Sequence, residues 1–205
     1  MDYWAAATSE IFPGLFIGNS QSTYTREVLE SNKINVVVSV IDGRHNLWKR
    51  ANFADSVKPG HHLWVDCLDN KCKDMLISMR TVCDFIDANL GPKDLKPPGR
   101  VLVHCHWGIS RSSTMVLAYL MCKLGKSRDE LLAEVKTKWP RARPSSNFMA
   151  QLEIWEKVEY DVWADEAKTV PKVEYTVYLT QRAAYLTERG LTGEEGKNIM
   201  DIRDL

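Results

Sequence analysis

No excess of charge of either sign is present in this 205-residue chain: 27 Lys and Arg stand against 27 Asp and Glu. A balanced chain lacks the basic footprint of a nucleic-acid-binding surface, so no direct nucleic-acid partner is expected. Long hydrophobic runs are missing too. No stretch approaches the ~18 apolar residues of a membrane helix, and the opening MDYWAAATSE has neither the basic region nor the apolar core of a secretion signal. There is no CxxC pair. The five cysteines are odd in number and irregularly spaced, which speaks against a disulfide framework and for a reducing compartment. Internal repeats and low-complexity tracts are also absent, leaving one domain of ordinary size with some extra chain at an end.

What is present alternates between two periodicities. IFPGLFIGN (11 to 19) reads as a strand pair bent at Pro13-Gly14, and STYTREVLESNKI continues with helical spacing. INVVVSVI (34 to 41) is a β-branched run suited to a strand buried on both faces, and HHLWVDCL (61 to 68) is a second candidate strand. Leu76, Met79, Val82, Cys83, Ile86 and Leu90 recur at helical intervals until Gly91-Pro92 stops them. GPKDLKPPGR is a surface loop by composition, and a strand follows at 101 to 103. Ser127 with Glu130 forms a capping box ahead of LLAEVKTKW, and SSNFMAQLEIWEKVEY runs helical to about residue 160. Strands alternating with helices predict an α/β fold, a mainly parallel central sheet flanked by helices on both faces. Beyond Asp161 the character changes. Pro171, the stripe Tyr175, Tyr178, Leu179, Leu186 and then Gly190 predict a helix over roughly 172–189, docked on the domain without part in its chemistry. The last fifteen residues are polar and read as frayed.

The chemistry concentrates in VLVHCHWGISRSSTM (101 to 115). Cys105 ends a buried strand and a helix begins near Ser110, so the loop between them curls over a helix N-terminus, where backbone N–H groups and the dipole favour an anion. Gly108 lets the backbone turn tightly enough to aim several N–H groups inward. Arg111 adds a planar fork for two phosphate oxygens. Such donors stabilise a bound oxyanion or a cysteine thiolate at the same spot, so nucleophile and phosphate cradle form one loop. The His104, Cys105, His106 triplet does not read as a metal site, because neighbours on an extended segment point to opposite sides. An acid for a leaving oxygen has two candidates at the end of the strand at 61 to 68, namely Asp66 and Asp69. Asp74 reads as a helix cap, Cys83 and Cys122 as core residues on apolar helix faces, and His45, His61 and His62 as surface or strand-edge residues.

His104-Cys105-His106-Trp107-Gly108-Ile109-Ser110-Arg111-Ser112 resembles the H-C-x-x-G-x-S-R-S signature of the dual-specificity protein phosphatases. Cys-x5-Arg alone is weak, because rhodaneses and arsenate reductases share it; GLFIGN, AYLM and PSSNFMAQLEIW extend the resemblance over about residues 9 to 160. It implies a protein-tyrosine-phosphatase-like fold and hydrolysis of phosphotyrosine, phosphoserine and phosphothreonine in proteins through a phosphocysteine. No metal or organic cofactor is implied. Carried over position by position, Cys105 is the nucleophile and Arg111 the phosphate fork. Residues 106 to 110 (His106, Trp107, Gly108, Ile109, Ser110) form the cradle, which phosphate or sulfate would occupy. Ser112 helps the thiolate leave, His104 braces the loop, and Asn147 braces the phosphate loop from the last helix. The family's pattern selects Asp69 over Asp66 as the acid. Trp107 is expected at the pocket rim rather than in the core like Trp155. VDCLD, DFIDANL and the tail beginning YDVWADE look most like the fungal zinc-tailed members linked to large ribosomal subunit maturation. That likeness implies a catalytic domain over 9–160 and an extension over 161–205, with the zinc domain absent from this chain as in a truncated form. It also implies a pre-ribosomal particle as partner and a cytoplasmic and nuclear location. A phosphate-binding scaffold without activity is the alternative from another class, and a sulfurtransferase the third.

Overall fold

A computed structural model describes residues 5–43, 57, 60–91 and 99–194. Two strands open the chain, β1 (Thr8–Phe12) and β2 (Leu15–Asn19), paired antiparallel through the turn at Pro13-Gly14. Two short helices follow, α1 (Ser20–Tyr24) and α2 (Arg26–Ser31), in place of one continuous helix. The Asn19 carboxamide caps α1, its Oδ1 accepting from Ser22 N at 3.1 Å. Next come β3 (Val36–Val40) and β4 (His62–Val65). α3 (Leu76–Leu90) ends at Gly91, whose φ of 64° suits a residue without Cβ. β5 (Val101–Cys105) leads to α4 (Arg111–Leu124), then α5 (Arg128–Lys138), α6 (Ser146–Lys157) and α7 (Val173–Arg189).

The sheet order is β1-β2-β5-β3-β4. Every pairing after β1·β2 is parallel, so the mainly parallel sheet is as predicted. β5 lies at its centre, which explains its unbroken apolar run: both faces are covered. Leu15, Ile17, Val36, Val38, Val101 and Val103 face the large core built with α3 to α6, while Phe16, Val37 and Leu102 face a smaller cluster with Leu29, Ile34 and Val57. The two faces are thus unequally dressed, one by four long helices and the other by α2 and its neighbours. β4 is shorter than the run that signalled it and only partly buried, as an edge strand would be.

Residues 111 to 121 of α4 are all buried. A helix apolar or small on every side belongs in a core, and α4 is wrapped by the sheet, α3, α5 and α6. The capping box of α5 is present, with Ser127 and Glu130 each bonding the other's backbone N–H. Cys83 is buried as expected, but Cys122 is only half-buried, its sulfur receiving Arg80 Nη1 at 3.8 Å. Among the predicted features, His45 and the loop at 92–98 lie outside the described residues, as do positions 195–205.

The extension forms its helix where the stripe placed it. Tyr175 and Leu186 are buried, Tyr178 and Leu179 partly so, and Gly190 closes α7 in the left-handed region at φ 61°. α3 offers a direct check of the core assignment, because it carries one isoleucine on each side. Ile86 is fully buried and Ile77 is 44% exposed. Ile86→Ala is expected to cost about 2–5 kcal/mol in urea unfolding, against at most about 0.5 kcal/mol for Ile77→Ala.

Candidate active site

The site is assembled at the C-terminal end of β5, where the chain passes from Cys105 through residues 106 to 110 into α4. What shapes this loop is where its carbonyls go. His106 O accepts from both the backbone N and the Oγ of Ser20, each at 3.1 Å. Gly108 O accepts from Trp139 Nε1 at 2.6 Å, and Ile109 O from Arg143 N at 2.8 Å. All three carbonyls are therefore drawn outward onto neighbouring elements. In a planar trans peptide the N–H points opposite to the C=O, so the N–H groups of Trp107, Ile109 and Ser110 turn toward the loop's interior. Gly108 adopts φ 71°, and a Cβ there would lie 2.8 Å from Gly18 O and 2.9 Å from Trp139. Glycine is thus required twice over, for its dihedral and for the approach of the loop to β2.

The N-terminus of α4 is left uncapped by any side chain. Ser110 sits at the N-cap position, yet its hydroxyl is engaged elsewhere, donating to Asp69 Oδ1 at 3.1 Å and accepting from Ser145 N at 3.2 Å. The first turn of α4 accordingly presents its backbone donors to the space beneath the loop. Cys105 Sγ lies 3.2 Å from Ser112 Oγ. Arg111, 7% exposed, donates from Nη1 to Cys67 O at 2.9 Å, and its Nε is 3.7 Å from Asp69 Oδ2. That Nε is among the few buried side-chain nitrogens with no hydrogen-bond partner among the described residues. A buried guanidinium with an unmet donor is an anion site in waiting. Burial pushes the neighbouring Cys67 thiol up to about 12 despite Arg111 beside it, which keeps it protonated beside Cys105.

The two aspartates separate cleanly. Asp69 touches Ser110 and stands by Arg111. Asp66 is exposed and accepts from Gly43 N at 3.0 Å. Asp69 is therefore the carboxylate that reaches the loop. Trp107 is partly exposed, with its ring set edge-on against His106 at 4.4 Å between centroids, while Trp155 is fully buried. Asp74 accepts from Leu76 N at 2.9 Å, a cap-like bond at the start of α3. Asn147 departs from expectation. Its amide donates to Lys73 O at 3.1 Å and Asn70 O at 3.5 Å, so it braces the loop following Asp69 and not residues 106 to 110. The phosphate loop is instead held from this side by Arg143 N and Ser145 N, which precede α6.

His104 is fully buried, its Nε2 2.6 Å from Ser39 Oγ, which in turn lies 2.9 Å from His62 Nε2. This chain ties β5 to β3 and β4 directly behind Cys105. Ser20, Ser39, Trp139 and Gln151 are the supporting residues that sequence reasoning missed. Each acts across more than 20 residues of chain; only Gln151 lies within a quoted stretch, PSSNFMAQLEIW, and that stretch does not say what its amide touches.

Among the described residues no group of three or more His, Cys, Asp or Glu is arranged to hold a metal ion, and no helix is long and apolar enough to cross a membrane.

Residues 15–158 match the family model for the dual specificity phosphatase catalytic domain. The chain is 33% identical over 149 residues to dual specificity protein phosphatase 16 of Homo sapiens, covering 73% of this chain and 21% of that protein. Against dual specificity protein phosphatase 26 of Mus musculus it is 34% identical over 143 residues, covering 70% and 64%. The chain thus spans less than two thirds of either relative. Among solved structures it is similar to the Yvh1 phosphatase domain from Chaetomium thermophilum, with TM-score 0.65 and 31% identity over 74% of this chain and 96% of that one.

Burial pushes the His104 imidazole down to about 3, the Cys105 carbonyl only partly opposing this. In the unfolded chain the ring takes up a proton near 6.5. Between these values the unfolded state binds more protons, so stability falls as pH falls. Urea unfolding at pH 7, 6, 5 and 4 is expected to show a slope that flattens in His104→Asn by up to about 1.4 kcal/mol per pH unit. Identical slopes would remove the neutral, buried histidine from the account.

Proposed function

Since the chain belongs to the dual specificity phosphatase family through its catalytic domain, we propose that it hydrolyses phosphate monoesters in proteins, on phosphotyrosine and on phosphoserine or phosphothreonine, through a phosphocysteine intermediate. The observation that carries this reading is the placement of Cys105 Sγ at the mouth of an uncapped helix N-terminus, beside Ser112 and within the same loop as Arg111. The backbone donors and the unmet Arg111 donor take the equatorial phosphoryl oxygens, and they gain strength as charge builds there. Cys105 attacks phosphorus in line as the thiolate, forming the S–P bond while the ester P–O bond breaks. Asp69 gives its proton to the departing oxygen. The resulting carboxylate then takes a proton from water, which attacks the phosphocysteine. The S–P bond breaks and the thiolate returns to the Ser112 hydroxyl 3.2 Å away.

The loop also bears on substrate. Its five positions, His106, Trp107, Gly108, Ile109 and Ser110, hold no Lys or Arg. A multiply charged inositol phosphate would be matched by such cations, so a phosphoprotein side chain is the better fit. The finer placement is part of the same proposal: a fungal zinc-tailed subtype acting at a pre-ribosomal particle in cytoplasm and nucleus. VDCLD, DFIDANL and YDVWADE support it, and co-sedimentation of the tagged chain with large-subunit precursors tests it.

Cys105→Ser is expected to abolish phosphate release from an aryl phosphate while retaining phosphate binding, because the donors that hold the anion remain. Phosphate release by this variant would sink the mechanism, and its absence from the wild type would leave a binding-only scaffold. Asp69→Asn is expected to cost roughly 10²–10⁴ in rate on a poor leaving group, and far less on nitrophenyl esters. A larger effect in Asp66→Asn would move the acid to that residue.

A further inference from the structure

The segment from Asp69 to Asp74 is held from two sides. α6 supplies one, through Asn147 and through Gln151, whose Nε2 donates to Lys73 O at 2.8 Å and whose Oε1 accepts from Met75 N at 2.8 Å. The other side is the C-terminal extension, which lies beyond the 15–158 span matched by the family. Arg182 Nε donates to Cys72 O at 2.5 Å. Tyr175 OH donates to Asp74 Oδ2 at 2.7 Å from a nearly fully buried ring. Asn70 Nδ2 reaches Gly193 O at 3.3 Å, and Lys73 Nζ pairs with Glu194 Oε1 at 3.1 Å. Asn70, Cys72, Lys73 and Asp74 of one short loop are therefore tied to the chain outside the family's domain, two of them to α7 and two to the residues just after it. Within the loop, Asn70 Oδ1 accepts from Cys72 N at 2.9 Å and Lys73 N at 2.6 Å, folding it into one turn. A pull on Cys72 O is thereby transmitted to Asn70, the residue next to Asp69. Packing between the loop and α7 is incomplete, with a cleft of about 210 Å³ lined in part by Lys71, Tyr178 and Gln181. Arg182 and Cys72 both line this cleft, and their hydrogen bond is a polar tie between the loop and α7 at this point.

We propose that the C-terminal extension sets the position of the acid-bearing loop, with Arg182 as the positioning residue. The inference rests on the reading of Asp69 as the general acid. It departs from the expectation that the tail stays out of the chemistry: the Tyr175-to-Leu186 stripe reports that the helix is buried, but not against which surface.

A positioning role through Asp69 must depend on the leaving group, which a loss of fold would not. Arg182→Gln is expected to lower kcat about tenfold on phenyl phosphate while leaving KM, and kcat on 2,4-dinitrophenyl phosphate, within about twofold. In an Asp69→Asn background the same substitution is expected to add nothing, since the acid it positions is gone. Arg182→Lys, which keeps a donor, should recover part of the loss. Tyr175→Phe, which keeps the buried ring, should show the same split in smaller measure. Equal losses on both esters, no loss on either, or an undiminished loss in the Asp69→Asn background would overturn the proposal. So would an Arg182→Gln chain that fails to fold beside a Tyr175→Phe chain at wild-type rates. If Asp69→Asn itself shows no dependence on the leaving group, the assignment of the acid fails, and this inference with it. A split in Asp69→Asn without one in Arg182→Gln removes the positioning role alone.

Discussion

The outward capture of three carbonyls in the 106 to 110 loop is the constraint on which the rest of the site depends. A peptide cannot aim its N–H inward unless its C=O is satisfied outward, and leaving a buried carbonyl unpaired costs about 1–3 kcal/mol. Ser20, Trp139 and Arg143 meet that requirement from three different parts of the chain. They come from the first helix after β2, from the end of α5 and from the approach to α6. The fold can therefore be seen as a means of bringing three donors to the rim of one loop. The parallel β2·β5 pairing, which sets Asn19 opposite Cys105, places Ser20 beside the end of β5, and α5 carries Trp139 over Gly108.

Rigidity here has an electrostatic purpose. Donors fixed in advance need no reorganisation when charge develops on a phosphoryl group, and the neutral His104–Ser39–His62 chain behind Cys105 adds no competing cation at the base of the loop. The charge that faces the loop is concentrated in Arg111, whose partners in this state are a backbone carbonyl and the Asp69 carboxylate.

How far the sequence spoke followed the range of the interactions. Elements written in local periodicity were legible: the β-branched run of β3, the stripe of α3, the Ser127–Glu130 box and the Tyr175-to-Gly190 helix all lie where their spacing put them. The nucleophile loop was legible because its functional residues are contiguous. Asp69 could be chosen over Asp66 only through resemblance, since both end one strand and their difference is a matter of direction. Asn147 was placed on the wrong loop because a helix face near the site touches two loops, and residue type does not say which. Ser20, Ser39 and Trp139 left no local signal at all: a serine after a strand or a tryptophan at a helix end is ordinary until the fold brings it to a carbonyl.

The two catalytic loops are thus stabilised in different ways. Residues 106 to 110 are gripped by Ser20, Trp139 and Arg143, all inside the 15–158 span. The acid loop is gripped by α6 on one side and by α7 on the other, and α7 is joined to the domain by few buried side chains, Tyr175 and Leu186 chief among them. Its docking free energy is a small difference between their burial, roughly 1.5–3 kcal/mol each, and the ordering of the chain that carries them. On the proposed reading, a modest change in that balance would act first on the position of Asp69, while the three carbonyl contacts of the cradle lie elsewhere. On the proposed mechanism, holding the phosphoryl group would then be set by the cradle, and delivery of the proton to the leaving oxygen by the extension, so that two requirements of one in-line step answer to different parts of the chain.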